Sequence, residues 1–283
     1  MMKLFRPLPL LLSTIMALPA AEEGWKPLLD ESLSKWDIFR GVPHESVDVP
    51  GFRKSTSKDS RSGTPIGLGK DPLGVFSTKQ ENGETILCIT GEIYGGLSTK
   101  EEYGDYHLSL EMKWGEEKWE PRLEDRRDSG VLVHATGPHG KFWKVWMASL
   151  ECQIQEHDCG DFIGLAGASA VIRVGPSPAP DKRMTYTPDG EPKRTRAYIN
   201  ARTDADKPNG EWNKIEIYTL GDDAVFVVNG VVNMVLTECR IGGKPLTKGK
   251  IQIQSEAAEV YYRDIKIRPI KAFPKEIAPL VKP

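Results

Sequence analysis

Alternation of apolar and polar side chains recurs along the chain in short segments, and it restricts the fold more than any other feature of the sequence. The alternating segments are DYHLSLEMKW (105–114), SLECQIQE (149–156), NKIEIYTL (213–220), DAVFVVNGVVNMVL (223–236), KIQIQSE (250–256) and VYYRDIKI (260–267). A period of two residues is typical of half-buried β-strands, and helical periodicity is scarce here. Many short strands separated by turns predict an all-β antiparallel sandwich or barrel.

Turn and loop chemistry is consistent with that fold. Asn229-Gly230 stands between two apolar runs, which is a strong sequence signature of a tight hairpin. Residues 50–74 and 175–210 are rich in Pro, Gly, Ser and charge, and they resist a strand interpretation. They are either linkers or long functional loops. Because alternating segments continue on both sides of them, we expect one domain over residues 22–283 with long loops at its rim.

The N-terminus, MMKLFRPLPLLLSTIMALPAA (1–21), has the layout of a secretory signal peptide. Lys3 and Arg6 form the basic start, and a mostly apolar run leads to small residues. An uncleaved membrane anchor is the alternative, but the run is short and is broken by Pro7 and Pro9. We therefore expect a periplasmic or secreted protein with no membrane contact after cleavage.

Charge balance bears on the choice of partner. The chain has 38 basic and 40 acidic residues and a formal net charge of −2. Without a broad basic field, the sequence disfavours a nucleic-acid partner and favours a neutral, polar one.

Four cysteines leave two interpretations open. Cys152 and Cys159 are close enough to bridge a hairpin in an oxidising compartment, whereas buried free thiols would also explain them. Cys88 and Cys239 add no zinc-binding spacing.

Polar side chains on the predicted strands are the candidate site. They are Glu151, Gln153 and Gln155 on one strand, His107 and Glu111 on another, and His134 on a third. Residues two apart project from the same side of a strand, so the first three form one row. Amides, carboxylates and imidazoles suit sugar hydroxyls and also supply an acid and a base. A solvated sheet face without a ligand is the alternative interpretation.

Aromatic and acidic residues near these strands extend the candidate site. Trp143 and Trp146 lie in an irregular segment and are candidates to stack on a sugar ring, whereas Trp114 is in register with core residues. His157, Asp158 and Asp161, which follow Glu156, either hold a divalent cation or form a polar turn. The sequence therefore predicts no certain cofactor.

Several segments, in order, resemble the 3-keto-disaccharide hydrolase family, a former domain of unknown function. They are GWKPLLDESLSKWDIF, GLSTKEEYGDYHLSLEMKW, RRDSGVLVHATGP, SLECQIQEHDCGDFIGLAG, GEWNKIEIYTLGDDAVFVVNG and GKIQIQSEAAEVYYRDIKIRPI. The match runs from about residue 24 to residue 271. The expected DSG(V/I) and (L/I)ExQ(I/L) positions are occupied by residues 128–131 and 150–154. The first loop, Leu29-Asp30-Glu31, departs from the usual Phe-Asp-Gly-like turn, and the 50–74 insert is longer than the pattern suggests.

The resemblance implies a concanavalin A-like jelly roll with its ligand on the concave face, and an enzyme that cleaves the glycosidic bond of a 3-keto-glycoside or 3-keto-disaccharide. Elimination followed by hydration and hydrolysis through two carboxyl groups are both open. We expect Glu151 and His134 to be the acid–base pair and Gln153 and Gln155 to orient hydroxyls, with His107 and Glu111 in reserve. A non-catalytic, lectin-like carbohydrate-binding module and an interaction domain for cell-surface polysaccharide are the alternatives, because binding alone needs no matched acid and base.

Overall fold

The computed structural model describes residues 24–176 and 183–281, and the predicted signal peptide lies outside them. The strands within these ranges are β1 (Lys26–Pro27), β2 (Trp36–Arg40), β3 (Gly67–Leu68), β4 (Phe76–Glu81), β5 (Glu84–Ile89), β6 (Gly95–Thr99), β7 (Tyr106–Lys118), β8 (Asp128–Thr136), β9 (Ala148–Gln155), β10 (Phe162–Leu165), β11 (Ala168–Gly175), β12 (Thr185–Tyr186), β13 (Glu191–Thr195), β14 (Asn213–Leu220), β15 (Asp223–Val228), β16 (Val231–Ile241), β17 (Lys244–Pro245), β18 (Lys250–Ser255) and β19 (Ala258–Pro269). A short helix, α1 (Ala278–Val281), follows them.

The strands form two antiparallel sheets. The larger sheet has the order β12-β11-β16-β15-β14-β7-β19-β5-β4, with β1, β13 and β17 paired beside this path. The smaller sheet has the order β10-β9-β8-β18-β6-β2-β3. Neighbours in space are often distant in sequence, as when β18 inserts between β6 and β8. The predicted all-β jelly-roll sandwich is confirmed.

The main core lies between the sheets and follows the alternation in the sequence. Leu108, Leu110 and Met112 on β7 are fully buried, and Leu150 and Ile154 on β9 face them from the smaller sheet within one hydrophobic cluster. The polar residues between them therefore point to the outer faces of the two sheets. This leaves two separate polar faces, one on each side of the sandwich.

The Asn229-Gly230 hairpin is confirmed. Val228 pairs with Val231, so only these two residues form the turn between β15 and β16. Their φ angles are +49° and +82°, the left-handed conformation that a type I′ turn requires at both central positions.

The expectation that residues 175–210 lack strands is wrong in part. β12 and β13 lie within them and pair with β11. The sequence of β13, EPKRT, shows no apolar alternation because four of its five residues are exposed. Residues 50–74 are irregular except for β3, as expected.

The cysteines are free thiols in the described part of the chain. Cys152 points into the core and Cys159 is buried in the turn after β9, and the two are not bridged. The buried-thiol interpretation is thus the one that the structure contains.

Among the described residues, no helix has the length and apolar character needed to cross a membrane.

Candidate functional site

A cavity of about 680 Å³ lies on the outer face of the smaller sheet. Its floor consists of side chains from β8, β9, β10 and β18, and loops surround it. A ligand pocket usually occupies 300–1,000 Å³, so this one has room for a ligand of about two sugar rings.

A glycine, Gly130 on β8, occupies the middle of the floor. A Cβ at this position would collide with the side-chain oxygens of Glu151 and Gln254. These two residues lie on the flanking strands β9 and β18, so their side chains cross over β8 from opposite sides. Gly130 thereby allows a carboxyl and an amide to meet at the centre of the floor.

Asp128 lies two residues before Gly130 on the same face of β8. Arg122 Nη2 forms an ion pair with Asp128 Oδ2 at 2.8 Å, and Gln155 Nε2 donates a hydrogen bond to the same oxygen at 2.7 Å. Burial raises the pKa of Asp128 to about 7, although Arg122 and Gln155 favour its charged form. Near neutral pH this carboxyl therefore exchanges a proton readily.

Glu151 and Glu256 complete a group of three buried carboxyls. Glu256 forms a β-bridge with Asp128 and is 6% exposed, and Glu151 is 3% exposed. Burial and the nearby charge of Asp128 raise the pKa of both glutamates well above the usual range. Because burial and repulsion raise these pKa values, the three carboxyls do not all ionise at neutral pH, and the group holds acid and carboxylate forms together.

Asp161 anchors a further side of the pocket. Its Oδ1 accepts a hydrogen bond of 2.5 Å from the backbone N–H of Ala201, and burial raises its pKa to about 8. This contact holds the segment that brings Tyr198 and Asn200 to the cavity.

Aromatic side chains form one wall of the cavity. Phe142, Trp143 and Trp146 line the cavity, and the rings of Phe142 and Trp143 stack with centroids 4.5 Å apart. Arg61, from the long 50–74 insert, places its guanidinium 3.2 Å from the ring centroid of Trp143. The insert and the aromatic wall therefore support each other at the rim.

Five of the predicted site residues come together in this cavity: Glu151, Gln153, Gln155, Trp143 and Trp146. Their roles in binding or catalysis stay predictions.

His134 does not join them. β8 carries a bulge between Val133 and Thr136, and His134 has a φ of +50°, which breaks the alternation that would have placed it beside Glu151. Its ring lies 6.1 Å from that of Tyr106, a core residue of the opposite sheet, and it is 1% exposed. The expected pairing of His134 with Glu151 is corrected accordingly: the histidine faces the space between the sheets.

His107 and Glu111 are also remote from the cavity, because β7 belongs to the larger sheet. His107 Nε2 lies 3.0 Å from Glu216 Oε1, and its ring stacks on Tyr218. Glu111 forms an ion pair with Arg263 at 2.6 Å. Both point to the outer face of the larger sheet, so the expectation that they share the site with Glu151 is wrong.

The acidic turn 156–161 forms no cation site. Glu156 pairs with Arg127, His157 with Asp204 and Asp158 with Arg126. Over residues 24–176 and 183–281, no group of three or more His, Cys, Asp or Glu side chains is arranged to hold a metal ion.

The sequence interpretation missed four site residues: Asp128, Arg122, Gln254 and Glu256. Asp128 opens the DSGV segment, and Gln254 and Glu256 alternate on the polar face of KIQIQSE in the same way as Glu151 and Gln153. Arg122 comes from a loop, where no periodicity indicates the direction of a side chain.

Comparison with known proteins identifies the family. A model of the 3-keto-alpha-glucoside-1,2-lyase-like domain matches residues 24–268. The chain belongs to this family. The family resemblance seen in the sequence is thus confirmed, and membership of this 3-keto-alpha-glucoside-1,2-lyase-like family supports a carbohydrate-active function. No curated protein matched in the sequence search.

Several solved structures have a similar fold. A candidate glycosyl hydrolase from Parabacteroides distasonis ATCC 8503 is 20% identical, with 87% of this chain and 99% of that chain covered and a TM-score of 0.48. The carbohydrate binding module CBM66 from Bacillus subtilis is 7% identical, with coverage of 68% and 91% and a TM-score of 0.42. A β-glucanase of Bacillus licheniformis is 11% identical, with coverage of 87% and 97% and a TM-score of 0.41.

The buried position of His134 leads to a prediction about stability. Burial lowers the pKa of His134 to about 4 from its ordinary value of 6.5. Between these two pH values the unfolded chain binds a proton at His134 and the folded chain does not. This costs stability as the pH falls from 6.5 to 4, by up to about 3 kcal/mol. In urea unfolding at a series of pH values, His134→Gln should gain stability relative to the unsubstituted protein over this interval, with a constant difference above pH 7.

Val133→Ala is the control for that series, because it removes buried carbon atoms next to His134 and no titrating group. Its stability difference from the unsubstituted protein should stay level. If the His134→Gln difference is also level between pH 7 and 4, the imidazole is not buried as the structure has it.

Proposed function

We propose that the chain is a glycoside-cleaving enzyme that acts on 3-keto-glycosides, and that Glu151 and Asp128 are its acid and base. The observation that carries the proposal is that three buried carboxyls, those of Asp128, Glu151 and Glu256, line one pocket that also contains amide side chains. Family membership supports the choice of a saccharide with a keto group at C3.

The chemistry fits the two kinds of carboxyl in the pocket. A C3 keto group acidifies the hydrogen on C2, so a base can remove that proton and leave its electron pair to form the C1–C2 double bond. The C1–oxygen bond then breaks, and the departing oxygen takes a proton from an acid. Water later adds its oxygen to C1 and a proton to C2, which gives the free 3-keto sugar.

Asp128 is suited to the role of base. Its ion pair with Arg122 and the hydrogen bond from Gln155 favour the carboxylate, and a pKa of about 7 makes that carboxylate more basic than an exposed one. Glu151 is suited to the role of acid, because burial and the charge of Asp128 favour its protonated form. In this proposal Gln153 and Gln155, which line the same pocket, orient hydroxyl groups.

A binding module would explain the pocket less well. Saccharide binding needs hydroxyl partners, which the glutamines supply, whereas three buried carboxyls cost folding free energy that binding alone does not require. Direct hydrolysis through two carboxyls uses the same residues and differs in what happens at C2.

The N-terminal segment 1–21 still carries the features of an export signal, so we propose that this reaction takes place in the periplasm or outside the cell.

Substitution of the two carboxyls tests the proposal. Glu151→Gln and Asp128→Asn keep the size of each side chain but remove its proton-transfer function, so each should lower kcat on a 3-keto-glucoside at least about 100-fold with little change in KM. Glu216→Gln, on the outer face of the larger sheet, is the control and should leave kcat unchanged. Near-normal turnover by either pocket variant, with a normal circular dichroism spectrum, would refute its assigned role.

The ion pair of Arg122 gives a separate prediction for the pH profile. Without this cation the pKa of Asp128 rises further, because an opposing charge favours the carboxylate. The low-pH limb of kcat/KM, which we expect near pH 7, should therefore move up by about one pH unit in Arg122→Gln. Arg127→Gln removes an ion pair of similar burial, to Glu156, and should leave the limb in place. An unmoved limb in Arg122→Gln would show that Asp128 is not the group that titrates.

A further inference from the structure

The two ends of the pocket differ in polarity. β9 runs along its floor from Ser149 to Gln155, a length of about 20 Å at 3.3 Å per residue. The end near Gln155 holds Asp128 and Tyr198. The opposite end begins where Ile163 pairs with Glu151 and Leu165 pairs with Ser149. Glu151 therefore stands at the boundary between a polar end and an apolar end.

Carbon-rich side chains form the apolar end; Phe142, Trp143 and Ile163 are partly exposed there, and Leu165 and Trp146 lie buried behind them at 1% exposure each. Ile163, Leu165, Phe142, Trp143 and Trp146 line it, and they belong to a hydrophobic cluster separate from the core between the sheets. Within it, the indole N–H of Trp146 already donates to the carbonyl oxygen of Gly95 at 3.1 Å.

A sugar ring would bind poorly against this surface. Its hydroxyls would lose their hydrogen bonds to water, and Ile163, Leu165 and Phe142 have no polar side-chain atom to replace them. Stacking on Trp143 also meets competition, since the Arg61 guanidinium lies over that ring. A flat apolar ring would instead gain from leaving water.

We propose that the natural substrate is a glycoside with an apolar, aromatic aglycone, which lies against Ile163 and Phe142 while the sugar lies toward Gln153 and Gln155. This inference rests on the proposed function and specifies its substrate class. It agrees with the position of Glu151, because the bond between sugar and aglycone then lies beside the acid that protonates the departing oxygen.

Ile163→Asn tests this assignment, because it places an amide on the apolar wall at a partly buried position. The substrates are the 3-keto derivatives of phenyl glucoside and of a glucose disaccharide, each as both anomers. Phenol is intrinsically the better leaving group, so the quantity compared is the ratio of variant to unsubstituted kcat/KM for each substrate. We expect this ratio to fall about tenfold for the phenyl glycoside and to stay level or rise for the disaccharide.

Leu68→Asn is the matched control, because Leu68 is 54% exposed on β3 at the far edge of the same sheet. In Leu68→Asn, kcat/KM should equal that of the unsubstituted protein for both substrates. Equal losses on both substrates in Ile163→Asn, with an unchanged melting temperature, would overturn the aryl assignment. If Ile163→Asn does not fold, Ile163→Thr keeps the branched shape, adds one hydroxyl and should show a smaller shift in the same direction.

The outcomes separate this inference from the proposed function. Cleavage of the disaccharide by the unsubstituted protein, with no dependence on residue 163 for the phenyl glycoside, keeps the function and rejects the aglycone assignment. If neither substrate is cleaved, the proposed function fails. Calorimetry with phenyl glucoside and cellobiose then tests the apolar wall alone, and tighter binding of cellobiose would reject it.

Discussion

Three buried carboxyl groups, those of Asp128, Glu151 and Glu256, line one pocket, and the electrostatics of the pocket depend on this arrangement. The charge of Asp128 raises the pKa of Glu151 and of Glu256, because negative charges in a poorly solvated site repel strongly. Arg122 offsets this repulsion at Asp128, where it forms an ion pair. The result is a set of chemically similar groups with different protonation states, which is what acid–base catalysis at a single bond needs.

The sandwich fold provides a face on which such a site does not disturb the core. The outer face of an antiparallel sheet normally meets water, so it can carry polar residues without disturbing the core between the sheets. Here the segments 119–127 and 137–147 cover that face, and the polar row on β9 becomes buried without joining the core. The strand backbone fixes the row, and the loops decide how much water reaches it. Catalytic groups thus rest on the rigid part of the fold, while the selectivity of the pocket comes from its variable part.

Sequence periodicity predicted the fold and three residues of the site, because β9 is a regular strand. Glu151, Gln153 and Gln155 alternate without interruption, so their shared face follows from the pleat alone. The same reasoning failed at His134, because a bulge shifts the register by a residue and turns the ring to the interior. No local pattern indicates such a bulge.

Sheet membership limits sequence reasoning in a different way. His107 and Glu111 alternate as regularly as the residues of β9, but β7 lies in the other sheet, and strand order depends on long-range pairing. Gln254 and Glu256 show the converse case, since their alternating segment is evident and only the pairing of β18 with β8 brings them to the site. Asp128 and Arg122 become functional candidates only when their ion pair is seen.

Solvent isotope incorporation tests the central claim, that the Asp128 carboxylate removes the proton from C2 of a 3-keto-glycoside. Cleavage in D₂O, followed by immediate reduction of the product and NMR, reports deuterium at C2 and at C4, the two positions next to the ketone. The account predicts one deuterium at C2, delivered during hydration, and none at C4, where only uncatalysed exchange would place it. Cleavage that leaves C2 fully protonated would contradict the elimination chemistry assigned to this pocket.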